Sequence, residues 1–362
     1  MRGNITMAEL ARAAGVSMAT ASRALSDHPK VAPATRARVQ AVASDLGYVH
    51  NAVARTLRTN RSYTLGLVSD QIATTPYAGR IILGAQEAAA RQGWLLLLLN
   101  SGGDPELERR EIQTLLQRQV DGLLYAAMYH QVVTPPAALA QVPSVLLDAR
   151  SDDASLPSVV PDEVGGARAA VAELLRHGHR RIGFVTHGDD IPATHGRLRG
   201  YQAALLGAGV PVDPSLVAVG SSTPQGGYPA ALALLDRPDR PTALFCFNDR
   251  MAMGAYQAAV ALGLRVPEDV SVIGFDNQES VADALRPGLT TMALPHYEMG
   301  VWAVEVVLAR VLGQRVGTDH ADAGRDDVER ADGHSDGHAV EHAVLPCPLV
   351  VRESVAPPPP TG

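Results

Sequence analysis

Short apolar runs alternate with longer amphipathic stretches through most of this chain. The apolar run 65–69 precedes a stretch with helical spacing of apolar positions at 81–92. The run 94–99, which is predicted to be a buried parallel strand, precedes another such stretch at 106–118. The alternation begins again with the run 181–185, and such regular alternation indicates parallel sheets with helices on both faces. Two series of this kind predict an α/β core of two lobes, each built on a parallel, doubly wound sheet.

The first 50 residues have a different pattern, with short apolar faces and polar capping positions. Thr6 can cap a first helix, Gly15 can supply a tight turn and Ser17 can cap a second helix. The apolar faces that would lock these helices together consist of Leu10, Ala11, Ala14, Val16, Ala21 and Leu25. This spacing predicts an all-α helix-turn-helix headpiece whose second helix has the size of a recognition helix for the major groove.

Charge is distributed unevenly along the chain. Residues 1–62 carry nine Lys and Arg against three Asp and Glu, a net charge of +6, whereas the whole chain carries −7. A basic N-terminal segment on an acidic body indicates that a polyanion binds at one end only. The alternative is a small helical subdomain with a solvated charged face. The agreement of spacing, caps and charge sign favours DNA binding over that alternative.

These residues resemble the LacI/GalR family of bacterial transcription regulators, and the resemblance extends over nearly the whole chain. It implies a third headpiece helix that begins at Pro33, with an inner face formed by Val39, Val42 and Leu46. Ala32 departs from the family, in which a hydroxyl cap to this helix is common. The resemblance also implies a core of the periplasmic-binding-protein type, with the ligand held between its two lobes.

By the same resemblance, a hinge helix follows the headpiece at 51–58. A helix this short is not stable alone in water, because nucleation is costly and few hydrogen bonds offset it. It is therefore expected to order only with a partner subunit and DNA. Leu57 would then be the apolar wedge in the minor groove, with Ala54 packed beside it.

The second helix and the hinge supply the candidate DNA contacts. Met18, Ala19 and Ser22 are expected to contact base edges or thymine methyl groups. The full candidate set consists of Thr6, Ser17, Met18, Ala19, Thr20, Ser22, Arg23, Asn51, Ala54, Leu57 and Arg58. Since one headpiece reads one half-site, the prediction is a homodimer on a near-palindromic, double-stranded operator.

Polar side chains follow several predicted strands of the core, where ligands collect in doubly wound sheets. By the resemblance, the effector contacts are Asp148, Arg197, Asn248 and Asp276, and Tyr77 matches an aromatic covering position. Carboxylates and amides bind paired hydroxyls, a forked arginine donates, and an aromatic face covers C–H surface. The expected effector is therefore a small molecule, most simply a sugar, that controls operator affinity.

Simpler interpretations of these residues remain open. Asn248 and Asp249 could cap the helix that follows them, and Asp276 could cap a turn. Asp148 could pair only with Arg150, and Tyr77 could be ordinary core.

Two other functions also remain open. One is a corepressor-dependent regulator that senses a nucleobase or a phosphorylated metabolite. The other is a transporter-associated sugar-binding protein, against which the basic headpiece and the lack of a signal peptide argue.

Composition narrows the class of protein further. No apolar N-terminal run or membrane-length stretch is present, so a cytoplasmic protein is expected. Cys246 and Cys347 lie in apolar surroundings and are predicted to be packed, reduced thiols. No catalytic triad order, phosphate loop, zinc motif or dinucleotide fingerprint is evident, so no enzymatic activity, cofactor or metal is expected.

The predicted organisation has three parts: a headpiece at 1–50, a hinge and linker at 51–62, and a core at 63–362. Lobe 1 is predicted at about 63–160 plus 292–315, and lobe 2 at about 161–291 plus 343–354, with a last strand at 345–352. The His- and Asp-rich segment 316–342 is predicted to be a disordered insertion rather than a metal site. His179 lies in a helix-to-strand connection and is interpreted as a surface residue.

Overall fold

The computed structural model describes residues 5–25, 28–48, 59–72, 75, 79–314 and 340–360. The chain divides into two compact units, Met1–Ser62 and Tyr63–Gly362, so the division falls where the sequence places the end of the linker. Within the described ranges, no helix is both long enough and apolar enough to cross a membrane.

The described part of the N-terminal unit contains three helices, α1 (Met7–Ala13), α2 (Met18–Leu25) and α3 (Pro33–Asp45). The Thr6 side chain accepts from the Glu9 backbone, and the Glu9 carboxylate accepts from the Thr6 backbone N–H at 2.7 Å. The Ser17 hydroxyl accepts from the Thr20 backbone N–H at 3.1 Å. Gly15 has φ +63° in the turn between α1 and α2, a conformation that favours glycine. The predicted caps and turn are therefore confirmed.

The three helices enclose a small apolar core. Its buried members are Ala11, Ala14, Ala21, Ala24, Val31 and Val39, with Val16, Leu25 and Val42 partly buried against them. Ala32 makes no side-chain cap to α3, as its departure from the family pattern suggests. Leu46 was predicted on the inner face, but it is 38% exposed because α3 ends at Asp45 and Leu46 is its C-cap.

The second unit contains two six-stranded sheets, each covered by helices. The strands are β1 (Thr64–Ser69), β2 (Leu95–Asn100), β3 (Gly122–Val132), β4 (Ser144–Arg150), β5 (Ser158–Pro161), β6 (Ile182–His187), β7 (Val217–Gly220), β8 (Ala243–Cys246), β9 (Ser271–Asp276), β10 (Thr290–Ala293), β11 (His342–Leu345) and β12 (Leu349–Val350). The helices are α4 (Gly79–Arg91), α5 (Pro105–Gln117), α6 (Glu163–Arg176), α7 (Pro192–Gly207), α8 (Pro224–Leu235), α9 (Asp249–Ala261), α10 (Glu279–Ala282) and α11 (His296–Leu312).

Strand order defines the two lobes. The first sheet runs β11-β5-β4-β3-β1-β2 and is parallel throughout. The second runs β12-β10-β9-β8-β6-β7 and is parallel except for the pair β10–β12. The predicted pair of doubly wound lobes is therefore confirmed. β2 pairs in parallel with β1, as predicted, but it is an edge strand with Leu95 58% exposed, so the prediction that this strand is buried was wrong.

The C-terminal part of the chain contributes to both lobes. Its first strand, β11, extends the first sheet, and β12 joins the second, so residues 343–354 do not belong to lobe 2 as a whole. Pro346 and Pro348 separate the two strands, and a proline has no N–H to continue a ladder. Residues 292–293, assigned to lobe 1 from the sequence, complete β10 of the second sheet. The chain thus crosses between lobes after β5, after β10 and after β11.

Both cysteines are free and buried, as predicted. His179, by contrast, is not a surface residue: it is 1% exposed, at the edge of the second sheet where β6, β8 and β9 begin. Its Nδ1 lies 2.8 Å from the Thr242 hydroxyl, and its Nε2 lies 2.8 Å from the Ala356 carbonyl oxygen. His179 therefore ties the C-terminal segment to the second lobe.

We expect His179→Gln to lower the free energy of unfolding by about 1 kcal/mol, because the shorter amide cannot make all the buried hydrogen bonds of the imidazole ring. The free energy of unfolding of the wild type should also decrease as the solution is acidified, and His179→Gln should lack this part of the pH dependence. Burial lowers the pKa of His179, although the Ala356 carbonyl opposes the shift, so the unfolded chain takes up this proton first. This part of the stability is complete above roughly pH 6.5 and is lost as the pH falls below it.

Urea denaturation at several pH values measures the effect. The control is His195→Gln, whose side chain is 54% exposed. A pH dependence that is equally steep in wild type and His179→Gln would contradict the assignment.

Candidate functional site

A cavity of about 260 Å³ lies between the two lobes, at the carboxyl ends of the parallel strands. Ligands bind at this edge in open α/β sheets. Lobe 1 contributes Tyr129, His130 and Asp148, and lobe 2 contributes Arg197 and Asp276, among others. Four of the sequence-predicted effector residues thus line one cavity, Asp148 on one wall and Arg197, Asn248 and Asp276 on the other.

Arg197 is the best-anchored of these residues. It lies on α7, is 3% exposed, and donates through Nε to the Glu163 carboxylate at 2.7 Å. Its Nη1 donates to the Phe247 carbonyl oxygen and lies 3.4 Å from the Asp276 carboxylate. The guanidinium also lies over the ring of Phe275, 3.8 Å from the ring centroid. Burial opposes the Arg197 charge, but Glu163 and Asp276 raise its pKa overall.

The local sequence explains how α7 brings Arg197 to Glu163. A Cβ added at Gly196 would lie 2.6 Å from the Glu163 Cβ, and one added at Gly200 would lie 2.7 Å from the Ala167 Cβ. Real Cβ atoms do not approach so closely, so these glycines allow α7 to pack tightly against α6. The ion pair therefore depends on two glycines that flank the arginine.

Asp148 lies near the carboxyl end of β4, and Asp276 is the last residue of β9. Their φ angles are +54° and +105°, which are uncommon for residues with a side chain and are found at ligand sites. Burial raises the pKa of Asp276 to about 6, against the opposing effect of Arg197. The Asp276 carboxylate also accepts from the Gln278 side chain at 2.9 Å, so a simple turn cap does not describe its role.

Asp148 differs from Asp276 in having a buried oxygen with no partner. The residue is 2% exposed, and its Oδ1 has no hydrogen bond to any residue that the structure describes. Burial, and then repulsion from Glu163, raises the pKa of Asp148 well above its ordinary value. Arg150 is exposed, whereas Asp148 is buried and lines the cavity.

Asn248 and Asp249 are adjacent in sequence but make different kinds of hydrogen bond. The Asn248 side chain caps α9 by accepting from the Met251 backbone N–H at 2.8 Å, and it also lines the cavity. Asp249 is the first residue of α9 and does not cap it. Its carboxylate accepts from the Gln278 backbone N–H at 2.6 Å and from the Thr291 hydroxyl at 2.5 Å, which holds the segment after β9 in place.

Glu163 and His130 also line the cavity, and both are absent from the sequence prediction. His130 lies on β3, and both of its ring nitrogens are buried without a hydrogen bond to a described residue. Its Nδ1 is 4.0 Å from Glu163 Oε1. Burial lowers the pKa of His130 to about 4, with further effects from Arg150 and Arg197, so the ring is neutral at pH 7.

The headpiece exposes the predicted face of α2. Met18 is 57% exposed, Ala19 and Arg23 are also exposed, and Ser22 is half-buried. The hydroxyls of Thr6 and Ser17 both take part in helix caps. The remaining predicted site residues, Asn51, Ala54, Leu57, Arg58 and Tyr77, lie outside the described residues.

Comparison with known proteins covers both units. A family model of bacterial regulatory proteins of the lacI family matches residues 6–51. A second, of periplasmic binding proteins and the sugar binding domain of the LacI family, matches residues 62–330. The two matches correspond to the headpiece and to most of the two-lobe core.

The chain is also similar to individual regulators over most of its length. The HTH-type transcriptional repressor CytR of Escherichia coli (strain K12) is 37% identical over 321 residues, 86% of this chain and 92% of CytR. The ribose operon repressor of that strain is 34% identical over 311 residues, 84% of this chain and 93% of the repressor. The solved lac repressor dimer, bound to operator and the anti-inducer ONPF, is 25% identical with a TM-score of 0.70. The alignment covers 98% of this chain and 99% of the lac repressor chain.

We expect Glu163→Ala to lower the free energy of unfolding by about 3 kcal/mol, because it removes one partner of a buried ion pair. The control is Glu106→Ala, which breaks the exposed pair with Arg109 and should have a much smaller effect. Urea denaturation compares the two variants. Equal losses of stability would contradict the assigned role of the buried pair.

Proposed function

The chain belongs to the LacI family of bacterial regulatory proteins, and from this premise we propose a sequence-specific transcriptional repressor controlled by a small ligand. The observation that carries the proposal is the cavity between the lobes, with polar groups aimed into it from both walls. Asp148 Oδ1 and the His130 ring have no hydrogen-bond partner among the described residues, and buried groups of this kind are normally satisfied. A ligand with several hydrogen-bonding groups supplies those partners.

The exposed face of α2 supports the DNA-binding part of the proposal. Met18 and Ala19 are exposed and Ser22 is half-buried; in our proposal these three contact base edges or thymine methyl groups, and the exposed Arg23 contacts phosphate. The lac repressor has been solved as a dimer on its operator. We extend that arrangement to this chain: a homodimer places one headpiece on each half of a near-palindromic operator. The operator lies in the cytoplasm, and so does this protein.

Control follows from the position of the ligand between two lobes. A ligand that contacts both walls binds some arrangements of the lobes more tightly than others. It therefore shifts the population toward the arrangement that it binds best. That arrangement sets how the two subunits of the dimer present residues 51–58, the proposed hinge helix, to DNA. Ligand binding and operator binding are then linked, and each changes the affinity for the other.

The cavity favours a small, polyhydroxylated ligand. Its volume of about 260 Å³ is slightly below the usual range for small-molecule pockets, which begins at roughly 300 Å³. The buried cation Arg197 is already paired with Glu163 and Asp276, so it offers little to a phosphate group. This pairing favours a sugar over the alternative of a phosphorylated corepressor.

Fluorescence anisotropy with DNA from upstream of the gene tests the proposal. We expect salt-dependent, sequence-selective binding that one sugar of a panel weakens, and weaker binding to scrambled DNA of equal length. Affinity for scrambled DNA equal to that for the upstream DNA, with every sugar and with none, would overturn the proposal.

We expect Leu57→Ala to lower operator affinity by at least about tenfold, because the apolar wedge no longer opens the base step in the minor groove. The control is Leu206→Ala, at an exposed position of the core. Anisotropy measures operator affinity and calorimetry measures sugar binding, which both variants should retain. Equal operator affinity for Leu57→Ala and wild type would remove Leu57 from the hinge.

A further inference from the structure

A second and larger cavity lies beside the crossings between the lobes. Its volume is about 670 Å³, within the usual range of roughly 300–1,000 Å³ for small-molecule pockets. It is lined by α4 and α11 of lobe 1, by α10 of lobe 2 and by the second and third crossings. It adjoins the cavity of the proposed effector along Asp276, Leu294 and His296, but neither Asp148 nor Arg197 lines it. We call this second cavity the hinge groove.

Apolar and aromatic side chains make up more than half of the described lining of the hinge groove. They include Tyr297 and Trp302 on α11 and Pro346 and Pro348 on the third crossing, all of them at least partly exposed. Apolar surface that remains exposed within a concave site is typical of ligand-binding grooves. The hinge groove therefore suits a ligand with an apolar body.

Among the described residues, four carboxylates and two arginines line the hinge groove. Arg80 Nη1 lies 3.2 Å from Glu279 Oε1, an ion pair that joins α4 to α10. Arg91 lies 3.9 Å from a glutamate of its own helix. The Asp276 carboxylate faces Arg197 of the neighbouring cavity at 3.4 Å. Both arginines and two of the carboxylates of the groove thus have partners of opposite charge.

The other two carboxylates flank the indole of Trp302. Glu298, Trp302 and Glu305 follow one another at helical spacings of four and three positions on α11, and all three line the groove. Neither glutamate has an ion-pair partner among the residues that the structure describes. Glutamate side chains that reach water are ionised at neutral pH. The unbalanced charge of the groove is therefore negative, and it lies on both sides of an aromatic ring.

We propose that the hinge groove is a second ligand site, which binds an organic cation with an apolar body. The ammonium group lies at the Trp302 indole between Glu298 and Glu305, and the apolar body lies against Pro346 and Pro348. Indole is the aromatic ring that attracts cations most strongly, and carboxylates strengthen hydrogen bonds from an ammonium group. A neutral ligand leaves both glutamates unbalanced, and an anion is repelled by them.

Binding of such a cation does not depend on the proposed function. The walls of the hinge groove come from both lobes, however, and a ligand that contacts both is sensitive to their arrangement. Under the proposed function, a cation in the groove is therefore linked to operator affinity.

Isothermal titration calorimetry of the full-length protein with three matched compounds tests the proposal. Diphenylpropylamine, diphenylpropanol and diphenylpropanoate, each with both phenyl rings on the terminal carbon, carry a cation, no charge and an anion. We expect the amine to bind at least about fivefold more tightly than either of the others. The double variant Glu298→Gln, Glu305→Gln should lower this preference by at least about threefold.

The control for charge is the double variant Glu106→Gln, Glu268→Gln, which removes the same charge from exposed positions outside the groove. It should keep the preference for the amine. Tryptophan fluorescence then locates the bound amine, because the chain has two tryptophans and Trp94 is buried, at 6% exposure. The amine should change the emission of wild type and of Trp94→Phe, but not that of Trp302→Phe.

Three results would overturn the proposal. One is equal affinity for the three compounds, or no binding of the amine at millimolar concentration. Another is a preference for the amine that is undiminished in Glu298→Gln, Glu305→Gln. The third is an emission change that persists in Trp302→Phe. Selective operator binding, measured on the same preparation, tests the proposed function separately from this site.

Discussion

The buried pairing of Arg197 with Glu163 and Asp276 determines what the ligand cavity can contain. A guanidinium this deeply buried persists only with carboxylates and hydrogen-bond acceptors around it. Glu163 is the first residue of the helix that follows the first crossing between lobes, and Asp276 is the last residue of a strand in lobe 2. Arg197, by pairing with both, connects the crossing segment to the cavity wall. Gly196 makes the approach of the two helices close enough for this pairing. In the proposed function, the ligand supplies the hydrogen-bond partners of the polar groups on the remaining wall.

Much of this arrangement could be predicted from the sequence, because the information was local. Thr6, Gly15 and Ser17 each specify a cap or a turn through contacts within a few residues, and the structure reproduces them. Asp148 and Asp276 follow predicted strands, and parallel strands bring their carboxyl ends to one edge of a sheet. The strand–helix alternation therefore located one wall residue in each lobe before any contact was known.

Other parts could not be predicted, because they depend on contacts between distant segments. β3 begins with the apolar residues 122–128 and continues to Val132, and this continuation carries His130 to the cavity. Glu163 follows a helix-capping aspartate and has the pattern of an ordinary acidic first turn. His179 has no local pattern of burial, since its partners lie more than 60 residues away in sequence. The division of the last strands between two sheets likewise depends on pairing that no local pattern shows.

The headpiece and the core differ in charge, and each charge suits a different kind of ligand. The headpiece is basic and presents side chains to a polyanion, whereas the core is acidic and its one deeply buried cavity cation, among described residues, is already neutralised. A ligand that touched one lobe alone would stabilise every arrangement of the lobes equally and shift nothing. Asp148 on one wall and Arg197 with Asp276 on the other make the ligand sensitive to how the lobes are arranged. The chain crosses between lobes three times, so a change in their arrangement involves both sheets, and under the proposed function this is the change that ligand binding links to operator binding.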